Sequence, residues 1–132
     1  MQALNYVSDA AIDGGLDYIQ ANVTVLHLIA SSLGGVPNAL VEVQNNTLAN
    51  KTGLTLTGPA NGDPTGRSVT IPSISDGTIT TGTTASAGYF ALLNTAEDEL
   101  ICAGKLSSQK DLPSGNTFTS NSFTIRVPDP TV

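Results

Sequence analysis

A single histidine and a single cysteine bound the chemistry open to this chain. Nucleophilic catalysis needs a base beside the nucleophile, most often an imidazole. The one candidate, His27, sits inside Val23 to Ala30 (VTVLHLIA), the most apolar strand-length run of the sequence. That setting predicts a core or interface imidazole rather than a general base. Cys102 lies in the apolar run Leu100-Ile101-Cys102-Ala103 and is expected to be a small buried hydrophobe. A reactive thiol needs nearby positive charge, and only Lys105 is close in sequence. One cysteine excludes an internal disulfide framework and a multi-thiolate zinc site, and one His with one Cys falls short of a typical zinc ligand set.

The carboxylates point the same way. Glu97-Asp98-Glu99 is a hydrophilic turn, whereas a glycosidase needs two acids held apart across a cleft. Asp9, Asp13 and Asp17 follow at i, i+4 and i+8, which predicts a solvated helix face, because cation ligands usually converge from loops. No Gly-x-Ser-x-Gly elbow or phosphate-cradling glycine loop occurs. Asn22-Val23-Thr24, Asn45-Asn46-Thr47 and Asn50-Lys51-Thr52 match the glycosylation pattern, as chance provides in so Asn- and Thr-rich a chain. The absence of Trp weakens a sugar- or peptide-binding site built on exposed aromatics. The expectation is therefore a protein with no catalytic residue, no metal and no cofactor.

Composition narrows the partners. The 132 residues suit one domain, 1–132, with 39% hydrophobic residues. Charged residues make up 12%, about half the usual ~25%, and Thr, Ser, Asn and Gly take their place. The net charge is −6 with five Lys and Arg in all. A nucleic-acid binder must neutralise several phosphates, so no nucleic acid is expected, and no anionic membrane either. Met1 to Val7 carries no basic residue and no long apolar segment follows, so neither a signal peptide nor a transmembrane helix is expected.

The elements can be placed from punctuation and periodicity. Ser8-Asp9 looks like a helix start, and Ile12, Leu16 and Ile19 form one apolar stripe, predicting a helix over 8–20. Gly14-Gly15 weakens it, so packing must hold it. Val23 to Ala30 is apolar on both alternating sets, which predicts a central strand with the helix over one face and a second sheet over the other. The stretch 32–51 reads as an excursion from the sheet, in which ALVEVQ is either a short helix or, with Val41 and Val43 alternating, an edge strand. Its apolar residues Leu33, Val36, Leu40, Val41, Val43 and Leu48 are more than a free loop carries, and such surface normally marks a contact. With the Pro128-Asp129-Pro130 tail, they are the expected interface residues, Pro128 and Pro130 included.

A sheet core is expected over 53–127. Leu54 to Thr57 is a strand there, Gly58 to Pro64 a loop, and Ser68 to Ile71 a strand with Val69 and Ile71 inward. Thr78 to Thr84 is half exposed. Tyr89 to Leu93 and Leu100 to Ala103 form a hairpin, and the changed parity between Phe118 and Phe123 marks a bulge or turn. About seven short strands at this spacing predict a mainly β fold, an antiparallel β-sandwich or jelly roll with one N-terminal helix.

Taken in order, Ser8 to Gln20, Val23 to Gly35, Gly66-Arg67-Ser68-Val69-Thr70-Ile71-Pro72, Tyr89 to Leu93, Ala103 to Ser108, Ser114 to Phe118 and Phe123 to Pro130 resemble a group of small virion structural proteins of tailed bacteriophages. The resemblance implies a structural protein of the virion, made in a bacterial cytoplasm, with no catalysis. On that footing the expected function is a capsid decoration (cement) protein. Its partner would be the major capsid protein or another virion protein, and it would be a homo-oligomer, a trimer at threefold positions of the lattice. The alternatives are a tail, neck or fibre component and, from another class, a receptor- or glycan-binding module.

Overall fold

The computed structural model describes residues 4–7, 9–61, 67–79, 86–112 and 117–127. The fold is mainly β, a curled half-barrel sheet with a short N-terminal helix. In chain order the elements are β1 (Leu4–Val7), α1 (Asp9–Asn22), β2 (Val25–Ala30), a 3-10 turn (Ser31–Leu33), α2 (Leu40–Asn46), β3 (Thr47–Lys51), β4 (Thr57–Asn61) and β5 (Arg67–Ile71). There follow β6 (Ile74–Ile79), β7 (Ser86–Leu93), β8 (Leu100–Asp111), β9 (Thr117–Ser120) and β10 (Phe123–Val127). Seven strands form one sheet in the order β1-β8-β7-β2-β3-β6-β9, and three form another, β10-β5-β4. All pairings are antiparallel. Among the described residues the strands thus divide seven and three.

β2 is the middle strand of the large sheet, and all six of its residues are buried. Its two alternating sets belong to two different cores. Leu26, Leu28 and Ala30 join the larger core, with Leu16 and Ile19 of α1, Val69 and Ile71 of β5, and Ile125 of β10. Helix and second sheet therefore cover the same face, not opposite faces as the sequence suggested. Val25 and Ile29 face the other way and join Val43 of α2, with Leu33, Val36 and Leu40 packed against them. The segment called an excursion is the cover of this second face. Its last part, β3, pairs with β2 on one side and β6 on the other and is a sheet strand. The apolar content of 32–51 thus has an intramolecular cause.

Local departures have equally physical origins. Gly15 leaves the helical conformation (φ 66, ψ −155) and breaks α1 into two segments, as the glycine pair foreshadowed. Ser8 and the side chain of Ile12 lie outside the described residues. Leu54 and Leu56 are buried but not in a strand. Strand β4 instead takes up Thr57–Asn61, the start of the expected loop. It tolerates Pro59 because β4 is the edge of the three-stranded sheet, where a missing N–H need cost no ladder bond. The parity change before Phe123 is a change of sheet: β9 ends the large sheet, and β10 opens the small one after Asn121-Ser122. Gly77 of β6 lies under the Phe118 ring, so close that any Cβ would overlap it. Residues 80–84 and 114–116 lie outside the described part.

Cys102 is fully buried on β8 in the larger core, and burial pushes its thiol up to about 12. The thiolate is the reactive form. The native protein should therefore resist a disulfide-exchange reagent at pH 8 and react stoichiometrically once unfolded in urea. Rapid native labelling would contradict this packing.

Candidate functional site

His27, on the α2-covered face of β2, is the centre of a polar cluster. Its Nδ1 is 2.7 Å from Thr47 Oγ1 of β3, and its Nε2 is 2.7 Å from Glu97 Oε1 in the turn between β7 and β8. Hydroxyl, imidazole and carboxylate in that order are the groups of an activated nucleophile. The Thr47 hydroxyl also lies 3.3 Å from the Ala49 carbonyl oxygen, to which it can only donate. A proton given to that carbonyl is not shared with the imidazole. No catalytic role is assigned to the cluster.

Its structural effect is plain. The turn folds back with the Glu97 N–H donating to Asn94 O at 3.0 Å, and Asn94 Oδ1 accepts the N–H groups of Asp98 and Glu99, each at 3.1 Å. All three acids of the turn have partners: Glu97 with His27, Asp98 with the Asn94 amide, and Glu99 with the Tyr18 hydroxyl at 2.6 Å. The Glu99 carboxylate, by accepting that hydrogen bond, raises the Tyr18 phenol above its ordinary value. The turn sequence was legible as hydrophilic, but these partners, 70 and 81 residues away, were not.

Glu97 is the only non-glycine with positive φ (56°) among the described residues. Glycine would relieve about 1 kcal/mol of left-handed strain there, yet the position carries the carboxylate that partners His27. Glu97→Ala should cost about 1 kcal/mol, the low end for an orphaned buried donor, because Glu97 is 40% exposed and water can enter. Glu97→Gly should be near neutral, since strain relief offsets the lost bond. Urea titrations giving equal losses for the two variants would contradict this balance.

The expected interface residues are dispersed. Val43 and Leu48 are core residues, 1% and 8% exposed. Leu33, Val36 and Leu40 are partly buried against the second core. Of the six apolar residues in 32–51, only Val41, at 57%, is a large exposed hydrophobe. Pro128 and Pro130 lie outside the described residues. These side chains do not form one open apolar surface, because four of them line up under α2 and the 3-10 turn, and Leu48 belongs to β3.

A feature that sequence inspection missed lies on the opposite face of β2. A cavity of about 600 Å³ opens between residues 106–110 of β8 and 118–123 of β9 and β10. Leu26, Leu28, Phe90, Phe118 and Phe123 give it an apolar floor. Phe90 and Phe123 meet edge to face with centroids 5.2 Å apart. The long β8 forms one wall because it bulges: Tyr89 pairs with Lys105 but Ala87 with Lys110, so residues 106–109 stand out opposite Gly88 alone. Lys110 Nζ reaches across and donates to the Thr119 carbonyl oxygen at 3.2 Å. Strand periodicity carries no signal for such a bulge in the Ser-rich run, so the cavity was not foreseeable. Among the described residues no cluster of His, Cys, Asp and Glu could hold a metal ion.

No protein-family model matches the chain. Comparison with curated proteins and with solved structures likewise finds no match. These results overturn the labels drawn from the resemblance: virion, bacteriophage, capsid decoration and cement protein are withdrawn as descriptions of this chain. The segments behind the resemblance are short runs of turn and strand residues, such as Gly66-Arg67 before an alternating strand, that any Thr-, Ser- and Gly-rich β chain can supply.

Proposed function

We propose that the protein is a non-enzymatic structural module that works by surface contact within a larger protein assembly. Its two sheets, sharing one core, would act as the layers of a β-sandwich-like scaffold. The observation that carries this reading is the outer half of β8. Beyond Gly104, Lys105 and Ser107 to Asp111 are exposed along it. An extended, exposed strand edge is a ready template for pairing with another chain. Half of these residues, Ser107, Ser108 and Gln109, carry hydroxyl or amide groups, which are cheaper to desolvate than charges, and Lys105, Lys110 and Asp111 supply both signs of charge. The partner is a protein surface, further copies of this chain included.

Lys105 and Lys110 flank that edge and serve as reporters. Amine cross-linking of the assembly isolated from the source should join one or both lysines to another molecule. Cross-links from these two lysines that remain entirely within one chain would overturn the reading.

A further inference from the structure

We propose that the cavity inside the curled sheet is a binding site for a small amphiphilic carboxylate, apolar body inward and carboxylate at Lys110. The proposal shares residues 106–110 of β8 with the assembly reading but does not depend on it, and rests on three features of the site. Its volume, about 600 Å³, falls in the range of small-ligand sites, and the interior of a curled or closed sheet is a usual place for one. Its floor is aliphatic and aromatic, from Leu26, Leu28, Phe90, Phe118 and Phe123. Two polar groups at its lip await a partner of the right kind.

The first is Lys110, the only charged residue lining the cavity among the described residues. In a chain with eleven Asp and Glu, its ammonium pairs with none of them among the described residues and rests on the Thr119 carbonyl instead. That leaves a cation with spare donors at the mouth of an apolar space, complementary to an anionic head group. The second is Ser120, whose Oγ is buried with no hydrogen-bond partner, the sole such side-chain atom among the described residues. Buried hydroxyls are normally satisfied. Ser120 lines the cavity between Thr119 and Asn121, where a turn of its side chain would bring the hydroxyl to a ligand oxygen.

Octanoate and 1-octanol are the probes, titrated calorimetrically and followed by methyl NMR. Octanoate should bind saturably and shift the methyl signals of Leu26 and Leu28, leaving Val25, on the other face of β2, unmoved. Lys110→Met should weaken octanoate about tenfold, the effect of one charge-assisted hydrogen bond, and leave 1-octanol unchanged. Ser120→Ala should weaken octanoate about fivefold without lowering the melting temperature, since it deletes an unsatisfied hydroxyl. Absence of saturable octanoate binding would overturn the proposal, as would shifts centred on Val25 or equal losses for octanoate and 1-octanol in Lys110→Met. Binding of the neutral extended peptide acetyl-Val-Thr-Val-Thr-amide with none of octanoate would make the slot a strand-docking seam and overturn it too.

Discussion

Val43→Asp is expected to destabilise the isolated chain by about 3–5 kcal/mol, the scale of an uncompensated buried charge. Val43 is 1% exposed and closes the second core over Val25, Ile29, Ala91, Leu93, Leu100 and Ala103. A carboxylate there would sit among apolar side chains, and domains of this size have only about 5–15 kcal/mol to lose. Val41→Asp, two residues away on the exposed side of α2 (57%), should change stability by no more than about 0.5 kcal/mol. The pair distinguishes two views of residues 32–51. If the segment were a free contact surface, both substitutions would be silent in the isolated chain. As a cover of the sheet, only Val41 tolerates charge. Urea titration followed by circular dichroism reads the difference, and deletion of 36–48 should abolish the folded state by the same logic.

Phe90→Ala should cost about 3–5 kcal/mol. Phe90 is 1% exposed on β7 and meets Phe123 of β10 edge to face, so it ties the seven-stranded sheet to the three-stranded one. Truncation removes its burial and a pair worth about 0.5–1.5 kcal/mol beyond burial. The ring borders the open cavity, so water can enter the vacated space, which favours the lower end of the range. Phe123→Ala should cost less, because Phe123 is only partly buried. The double variant should cost less than the sum of the singles, since the ring pair is then counted once. Additive losses would mean that the two sheets are not coupled through these rings.

What the sequence made legible was whatever local patterning dictates. Val23 to Ala30, largely apolar on both alternating sets, pointed to a central strand, and β2 (Val25–Ala30) is one. Alternation around Val69 and Ile71 gave their inward direction, and both are fully buried. The acids between two apolar runs gave the β7–β8 hairpin. Misplacements came from tertiary context. Val41 and Val43 share the same sequence neighbourhood, yet one is exposed and the other buried, because α2 lies flat on the sheet and period 3.6 separates its faces. Pro59 looked like a loop residue until β4 was seen at a sheet edge. His27 was expected in the core or at an interface, and it is buried, but its bonds to Thr47 and Glu97 depend on two other elements. The cavity depends on curl and on a bulge in β8, neither of which any periodicity encodes.

The proposed role in a larger protein assembly has a direct consequence for the size at which the chain is found in its source. Sedimentation velocity of the native source extract, with the chain followed by antibody, tests it most directly. The chain should run in a boundary far heavier than its own polypeptide, shifted toward the free polypeptide in the variant Ser108→Pro on the exposed half of β8. Sedimentation as a single free polypeptide throughout the source extract would contradict the assembly role.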